Sequence, residues 1–430
     1  MRNDMKQRKK VEWTRLDNAS KYFAAVSNFK DTKVFRLACE LYEDVDPEAL
    51  QKALDLTLES FPLYRSVLRR GIFWYYLEAS DIKPTVEIES LPVCAPIYYK
   101  DRRNLLFRVF YYNSRINLEV FHALSDGTGA LWFLKTLVHH YLVLKHKEEL
   151  GGRILELNYI APISKKMDDS FRRYYTGGKI FKQHARNDDV KKESAAYRIR
   201  GTRTEDSRMR LIEGSMSAKA VLGQAHAYDT TLTVYIASLF IYSIYKEMPA
   251  RAKNLPIILS IPINLRQFFE SATARNFFST MNVSYRFEKG EAGLGDIIQK
   301  VRETFQRELT EEMLNKQLNH FMSLEKNPLA RVVPLPLKDY SIRLVDKLND
   351  RKITAALSNI GRITMPEEFD GYIRQFSVCT SARRPQICMC TYGDRLVISF
   401  TSPFRETDIQ STFFKYLSQS NIDIEISSNF

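Results

Sequence analysis

The stretch EVFHALSDGTGALWF, Glu119 to Phe133, decides how the first third of the chain is interpreted. An apolar run ends at His122, and Asp126 and Gly127 follow before a segment with helical character. A histidine on a short loop between a strand and a helix is held by regular backbone on both sides, which suits a general base. The alternative is a buried histidine that only ends a strand. The residues of this stretch leave both interpretations open.

The sequence around this stretch predicts a hairpin before it and a helix after it. Residues 105–121 alternate apolar positions on both sides of a polar turn at 113–115, which is typical of a β-hairpin. Apolar side chains then recur at intervals of three and four residues along 129–145, which is typical of a helix. His122 is therefore placed where the second strand of the hairpin ends.

The two residues behind the histidine suit supporting roles. Imidazole has a near-neutral pKa and accepts a proton from a hydroxyl, amine or thiol at cellular pH. We expect Asp126 to turn inward and pair with an arginine, which would hold the loop and the imidazole in place. Gly127 supplies a backbone conformation or a close approach that a side chain would block.

Length and composition indicate a globular protein with a strong positive charge. The chain has 430 residues, which favours two domains, and it is 44% apolar and 27% charged. The net charge of +13 serves solubility, or it attracts an anionic partner. The candidates are a phosphate-bearing cofactor, an acidic carrier protein, an anionic membrane surface and nucleic acid. The sequence contains no zinc-finger pattern and no RNP-like strand, so no nucleic-acid partner is expected.

Three features together predict a cytoplasmic protein. The most apolar stretch, Thr233 to Tyr245, is shorter than the roughly 20 residues that span a bilayer, so no transmembrane segment is expected. The basic start, MRNDMKQRKKVEW, has no apolar core and does not indicate a signal peptide. The five cysteines have no framework spacing, which suits reduced thiols.

The distribution of charge divides the chain. Residues 164–208 are strongly charged with little apolar periodicity, so we predict a crossover linker there between domains at 1–163 and 209–430. Both flanking parts mix helix and strand patterns, which predicts an α/β (α+β) fold. The main further elements predicted are a helix at 46–62, a buried helix at 232–249, a buried strand at 255–266, an amphipathic helix at 294–314 and a hairpin at 385–402.

The motif HALSDG, His122 to Gly127, resembles the HxxxDG motif of the chloramphenicol acetyltransferase-like superfamily. That group includes nonribosomal peptide condensation domains, BAHD acyltransferases and alcohol acetyltransferases. Two further segments, Ser260 to Val283 and LSNIGRI at Leu357 to Ile363, resemble the bacterial alcohol acetyltransferase-like branch.

Two departures narrow the resemblance. Condensation domains usually carry a second histidine before the first, and this chain has Phe121 there. The DFGWG motif of BAHD enzymes is absent, and YGDRL at Tyr392 to Leu396 is no substitute for it. Both departures favour an alcohol acetyltransferase-like enzyme and leave the acceptor open.

The resemblance implies a fold and a reaction. It implies two chloramphenicol acetyltransferase-like domains, each a mixed β-sheet packed with helices, which form a V with a channel between them. In the reaction of that superfamily, an acyl group passes from a thioester, acyl-CoA or acyl-phosphopantetheine, to an alcohol or amine acceptor. An acyl carrier protein is a further candidate partner, and we expect a monomer without a bound cofactor.

The resemblance also implies roles for individual residues. His122 would be the general base, with Asp126 and Gly127 completing the motif. Arg266 is the expected partner of Asp126, since an arginine holds a carboxylate through two parallel hydrogen bonds. Either Ser358 or Asn359 would stabilise the oxyanion. Arg275 and Asn276 are weaker candidates for the region of Arg266.

We expect no metal site. The adjacent His139 and His140 face different sides of a helix, and no carboxylate completes a set with them. Cys388 and Cys390 alternate on a strand without zinc-site spacing, so we expect buried thiols. Two other functions stay open from the sequence: a non-catalytic condensation-like protein that binds a carrier protein or lipid, and a nucleic-acid-binding protein that only the charge favours.

Overall fold

The structure is a computed structural model. It describes residues 13–100, 102–150, 161–177, 195–205, 208–287, 293–326 and 331–430. The basic start of the chain (1–12) and the middle of the predicted linker (178–194) lie outside the described residues.

The described residues contain helices and strands in alternation, as the sequence predicts. The helices are α1 (Asn18–Val26), α2 (Pro47–Ser60), α3 (Gly127–Lys145), α4 (Lys147–Leu150), α5 (Ile163–Lys166), α6 (Ser170–Arg173), α7 (Ala218–Ala227), α8 (Leu232–Lys246), α9 (Leu294–Glu308), α10 (Glu311–Lys326), α11 (Leu335–Asp350) and α12 (Asp408–Gln419). The strands are β1 (Trp13–Arg15), β2 (Val34–Leu41), β3 (Ser66–Arg70), β4 (Tyr75–Ala79), β5 (Glu87–Ile88), β6 (Phe107–Tyr112), β7 (Arg115–Phe121), β8 (Arg210–Ser217), β9 (Ile257–Asn264), β10 (Phe278–Tyr285), β11 (Ala355–Ile363), β12 (Ile373–Thr380), β13 (Gln386–Tyr392), β14 (Arg395–Ser402) and β15 (Ile424–Ser428). The mixed α/β prediction is confirmed.

The N-terminal half is built on a five-stranded sheet in the order β12-β2-β7-β6-β5. Strands β6 and β7 form the hairpin predicted at 105–121, with Asn113 in the left-handed conformation at its turn. Helix α3 packs on β2 and on α2. Helix α2 begins where Asp46 accepts hydrogen bonds from the first backbone amides and Pro47 takes the first helical position. A three-stranded sheet, β1-β4-β3, lies beside this half.

The C-terminal half is built on a seven-stranded sheet in the order β10-β9-β11-β13-β14-β8-β15. Strand β11 runs parallel to both neighbours, β9 and β13, while the other pairs are antiparallel. The buried helix α8 packs against α9, α12 and β9. Strands β13 and β14 form the predicted second hairpin, and Gly393 at its turn has a φ of 55°.

Two features of the chain differ from the predicted elements. The amphipathic helix predicted at 294–314 ends at Glu308, and a second helix begins at Glu311. Strand β12 comes from the C-terminal part but pairs with β2 at the edge of the N-terminal sheet. The predicted domain boundaries stay a prediction. Strand β12 lies within the predicted C-terminal domain in sequence and belongs to the N-terminal sheet in the structure. No helix in the described part of the chain is long and apolar enough to cross a bilayer.

Candidate active site

The site is centred on the loop between β7 and α3. Strand β7 ends at Phe121, and the backbone amide of Leu124 donates to the carbonyl of Phe121, which closes a tight turn. The Asp126 side chain then accepts from the amide of Gly129 and caps α3. The backbone amide of His122 donates to the carbonyl of Lys33 on the neighbouring chain segment. The imidazole is thus carried by backbone that is held on both sides.

The His122 ring lies among aromatic side chains. It stacks on Phe23 of α1 with ring centroids 4.1 Å apart, and Phe35 and Phe278 are the other neighbours, at 4.8 Å and 5.8 Å. Burial among these rings lowers the pKa of His122 to about 4, against an opposing attraction from the Asp126 carboxylate. The imidazole is therefore neutral at pH 7 and does not have to lose a proton before it acts as a base.

Asn276 determines which ring nitrogen of His122 carries the proton. Its Nδ2 donates to the backbone carbonyl of His122 at 2.8 Å and to Oγ of Ser20 at 3.0 Å. A carbonyl only accepts, so this contact orients the amide and directs Asn276 Oδ1 at Nδ1 of His122, 3.2 Å away. Nδ1 must then carry the hydrogen. The lone pair of Nε2 is left as the proton acceptor.

The two residues paired by the sequence analysis, Asp126 and Arg266, are in direct contact. The guanidinium Nη1 lies 2.8 Å from Oδ2 of Asp126, and Nη2 lies 3.2 Å from Oδ1. Both side chains are only 6% exposed. Oδ2 also accepts from the backbone amide of Phe277 at 2.8 Å. The carboxylate therefore joins the cap of α3 to the C-terminal half of the chain.

Arg266 also holds the segment that carries Asn276. Its guanidinium donates to the backbone carbonyls of Thr273 and Arg275, with Nη2 at 2.9 Å and 2.6 Å. The Arg275 side chain does not contact Asp126; it lies 3.6 Å from Asp17 at the cap of α1. Through these carbonyls and the amide of Phe277, the buried ion pair determines where residues 273–277 lie. It thereby positions Asn276 against the imidazole.

Two glycines allow the halves to approach each other closely. A Cβ on Gly129 would lie 2.1 Å from the carbonyl oxygen of Ala274, and one on Gly127 would lie 2.7 Å from Cδ1 of Ile360 on β11. Oγ of Ser125 donates to the same Ala274 carbonyl at 2.6 Å. The start of α3 is thus pressed against both residues 273–277 and β11.

The two predicted oxyanion donors lie on β11 and directly precede Ile360, the residue that faces Gly127. The Asn359 amide has partners within the C-terminal half: Nδ2 donates to Thr233 at 2.9 Å, and Oδ1 accepts from the amide of Gly361 at 2.8 Å. Ser358 has no side-chain hydrogen bond within the described part of the chain. Of the two candidate donors, Ser358 therefore has the hydroxyl that is not already engaged by a partner within the described residues.

The arrangement contains one orienting contact that sequence reasoning did not assign. The sequence offers Asn276 only as a weaker candidate for the region of Arg266 and does not predict its contact with His122. Its position one residue beyond Arg275 in ARNFF gave no signal of that contact, because the partner lies 154 positions away. Among the described residues, no group of three histidine, cysteine or acidic side chains is arranged to hold a metal ion.

Comparisons with known proteins agree on the fold. No family model matches the chain, and no curated protein matches it. Among solved structures, polyketide synthase associated protein 5 from Mycobacterium tuberculosis is 13% identical, with a TM-score of 0.61 over 94% of this chain and 96% of that one. A trichothecene 15-O-acetyltransferase from Fusarium sporotrichioides is 9% identical, with a TM-score of 0.61 over 95% and 94%.

A third structure, a variant of the starter condensation domain of rhizomide synthetase in complex with C8-CoA, is 11% identical. Its TM-score is 0.57 over 96% of this chain and 98% of that one. At such identities the likeness establishes architecture alone. The chain has the two-domain, mixed α/β, chloramphenicol acetyltransferase-like fold of condensation domains and of this acetyltransferase.

Proposed function

We propose that the protein is an acyltransferase that moves an acyl group from a thioester to an alcohol or amine, with His122 as the general base. The observation that carries the proposal is the contact between Asn276 Oδ1 and Nδ1 of His122. It places the hydrogen on Nδ1 and keeps Nε2 as a proton acceptor, in a ring that burial holds neutral.

The reaction divides into two proton transfers at Nε2. The acceptor hydroxyl or amine attacks the thioester carbonyl carbon while Nε2 takes its proton, which gives a tetrahedral oxyanion and an imidazolium. The C–S bond then breaks, and the leaving thiolate takes the proton back from Nε2. The products are an ester or amide and a free thiol. General-base assistance of this kind contributes about 10²- to 10⁴-fold to the rate.

The remaining acceleration would come from electrostatics and proximity. The developing oxyanion needs a hydrogen-bond donor close to the carbonyl oxygen, and Ser358 and Asn359 on β11 are our candidates. Holding the donor and acceptor side by side lowers the entropic part of the barrier. The donor is acyl-CoA or acyl-phosphopantetheine on a carrier protein. The complex of the structurally similar starter condensation domain with C8-CoA supports a thioester of this class.

The test measures thiol release from a panel of acyl-CoAs, with and without added alcohols and amines. A colorimetric thiol reagent detects the released thiol. We expect thiol release that depends on an acceptor and yields the corresponding ester or amide by mass spectrometry. His122→Ala should lower the rate by at least about 100-fold. His226→Ala, at an exposed histidine near the end of α7, is the matched control and should keep the wild-type rate.

Two results would overturn the proposal. One is a folded His122→Ala variant with wild-type turnover. The other is a wild-type protein that binds acyl thioesters and releases no thiol with any acceptor in the panel, which would favour a binding protein without catalysis.

A further inference from the structure

Helix α11 (Leu335–Asp350) exposes its apolar face. Leu337, Tyr340, Leu344, Val345 and Leu348 recur at helical spacing and are between 49% and 68% exposed. A surface helix of a globular protein normally turns such a stripe toward the core. This helix therefore presents to solvent the face that a helix would otherwise bury.

The inward face of α11 is polar, and it is tied to the protein. The Asp339 carboxylate accepts from the hydroxyl of Tyr75 at 2.6 Å. Asp346 pairs with Arg383 at 2.8 Å and accepts from Tyr22 of α1, and Asp350 pairs with Arg384. Because all three carboxylates have partners inside, the helix cannot rotate its leucines inward without leaving those charges unpaired. The outward apolar face is a built feature of the fold.

The apolar surface continues from α11 onto the small three-stranded sheet. The amide of Leu335 donates to the carbonyl of Ile72, which is itself 74% exposed. Trp13 on β1 and Trp74, which directly precedes β4, are also exposed. The guanidinium of Arg15 lies 5.7 Å from the Trp74 ring and 6.0 Å from the Trp13 ring, which links the two indoles. We call this set, together with the stripe of α11, the apolar face.

A basic cavity of about 730 Å³ opens beside the first turn of α11. Its cationic lining residues are Arg69, Arg70, Lys100, Arg102 and Arg103. Within the described part of the chain, Glu78 pairs with Arg69 and Arg103, and Asp339 pairs with Arg70. The described residues that line the cavity include five cationic side chains and no acidic one, so its wall is basic, and Ile72 of the apolar face lies on it.

We propose that the apolar face and the basic cavity together form a docking surface for an anionic phospholipid membrane. The leucines of α11 would enter the acyl region, and the arginines would bind lipid phosphates, as in helices that lie in the plane of a membrane interface. The exposed tryptophans and Tyr340 are side chains that membrane interfaces favour. The net charge of +13 adds a long-range attraction to an anionic surface.

Charge argues against a second copy of the chain as the occupant. A two-fold interface uses the same patch on both subunits, so both basic cavities would lie within one interface. Arg343 and Lys347 on α11 would add to that repulsion. An anionic lipid surface carries the charge opposite to that of the basic cavity. It is also fluid, so it does not require a partner surface of matching shape.

The surface is connected to the active site through α1. Tyr22 of α1 contacts Asp346 of α11, and Nε of Arg343 donates to the carbonyl of Ala25 at 2.7 Å. The next residue after Tyr22, Phe23, stacks on the His122 ring. The proposed membrane surface and the imidazole therefore share one supporting helix.

The test is co-sedimentation of the full-length protein with vesicles of phosphatidylcholine alone and of equimolar phosphatidylcholine and phosphatidylglycerol. We expect binding to the anionic vesicles and little to the neutral ones. The double variant Leu344→Glu with Leu348→Glu should lower the partition coefficient by at least about tenfold. The variant Arg102→Gln with Arg103→Gln should lower it by about 30-fold, from roughly 1 kcal/mol per basic residue.

Matched controls place the same changes elsewhere. Leu56→Glu with Ile426→Glu alters exposed apolar residues on α2 and β15, and Lys300→Gln with Lys316→Gln removes two exposed charges on α9 and α10. The apolar control should bind like the wild type, and the charge control should lose much less than the Arg102 and Arg103 pair.

Three outcomes would overturn the proposal. Wild-type protein that stays in the supernatant with anionic vesicles shows no membrane surface. Binding that the leucine variant retains is electrostatic only and does not use the apolar face. A wild-type dimer that the leucine variant converts to a monomer, without vesicle binding, assigns the face to self-association instead.

Discussion

Asn276 contacts His122 at two points: its amide nitrogen donates to the backbone carbonyl, and its amide oxygen faces Nδ1 of the ring. One side chain from the C-terminal half thus holds both the backbone and the imidazole of a residue in the N-terminal half. The buried pair of Asp126 and Arg266 holds the segment that carries this asparagine. In this arrangement Asn276 is a positioning residue for the proposed base.

Replacing Asn276 should lower turnover more than it alters substrate binding. Asn276→Ala removes the acceptor for Nδ1–H, so the imidazole loses its preferred tautomer and orientation. We expect kcat for acceptor-dependent thiol release to fall about 10- to 100-fold, the worth of one or two buried hydrogen bonds, with little change in KM. Asn349→Ala, at an exposed asparagine on α11, is the matched control. If Asn276→Ala changed KM and left kcat at the wild-type value, that result would contradict the positioning role.

The pH dependence of kcat/KM should report a low pKa for the base. Burial lowers the pKa of His122 to about 4 from its ordinary value of 6.5, so the ring stays neutral and able to accept a proton well below pH 6.5. We expect the acid limb of the profile to fall well below that ordinary value. Asn276→Asp should move the limb upward, because a carboxylate beside Nδ1–H stabilises the imidazolium.

The low pKa of His122 also predicts how the stability of the folded protein depends on pH. In the unfolded chain His122 binds a proton near its ordinary pKa of 6.5, whereas in the folded protein it does so only near 4. The unfolded state therefore binds more protons between these values, and stability falls as the pH drops through that window. His122→Ala should lose this component of the pH dependence. Urea unfolding at a series of pH values, compared with His226→Ala, measures it.

Local pattern predicted those parts of the site that lie close together in sequence. Alternation and helical spacing placed His122 between a hairpin and α3, and the short aspartate behind it suggested a buried arginine partner. Arg266 was found because it ends a strand in a segment resembling a known branch of the superfamily. The role of Asn276 could not be found in this way, because tertiary folding alone brings it to His122.

Asp126 and Arg266 should behave as one unit. Removing either partner leaves the other charge buried at a site only 6% exposed, which costs about 3–5 kcal/mol of stability. Asp126→Asn and Arg266→Ala should each release residues 273–277 and lower activity to a similar level. The double variant should be little worse than either single one. Chemical denaturation and thiol release, measured on the wild type and all three variants, complete a double-mutant cycle.

Arg266→Lys tests the geometry of this pair with the charge retained. An ammonium group cannot reproduce the contacts of Arg266 with the carbonyls of Thr273 and Arg275 and with both oxygens of Asp126. We expect the lysine variant to lose activity nearly as far as the alanine variant. Losses from Asp126 and Arg266 that add in full would show that the two residues act independently.

The sheet topology and α11 show what periodicity does not predict. Strand β12 alternates like any half-buried strand, yet its partner is β2, more than 330 residues earlier. Periodicity also gives the same apolar stripe to α11 whether it faces the core or solvent. The orientation of α11 follows from partners of Asp339, Asp346 and Asp350 that lie on distant elements. Local pattern identified the elements, and long-range polar contacts decided their placement.

The close approach at Gly129 should be essential to the site. A methyl group there would lie 2.1 Å from the Ala274 carbonyl oxygen and 2.4 Å from Oγ of Ser125, which are themselves hydrogen-bonded. Gly129→Ala must therefore separate the start of α3 from residues 273–277 and withdraw Asn276 from His122. We expect it to lower the free energy of unfolding by about 1–3 kcal/mol, the range for an overpacked site.

The matched control for Gly129→Ala is Gly223→Ala on α7, where an added methyl group meets open space. Alanine is the better helix former, so this change should stabilise the protein by about 0.5–1 kcal/mol and leave activity unchanged. Urea unfolding and acceptor-dependent thiol release on both variants provide the comparison. If Gly129→Ala kept wild-type stability and turnover, the contact between α3 and residues 273–277 would not be what holds Asn276 against the imidazole.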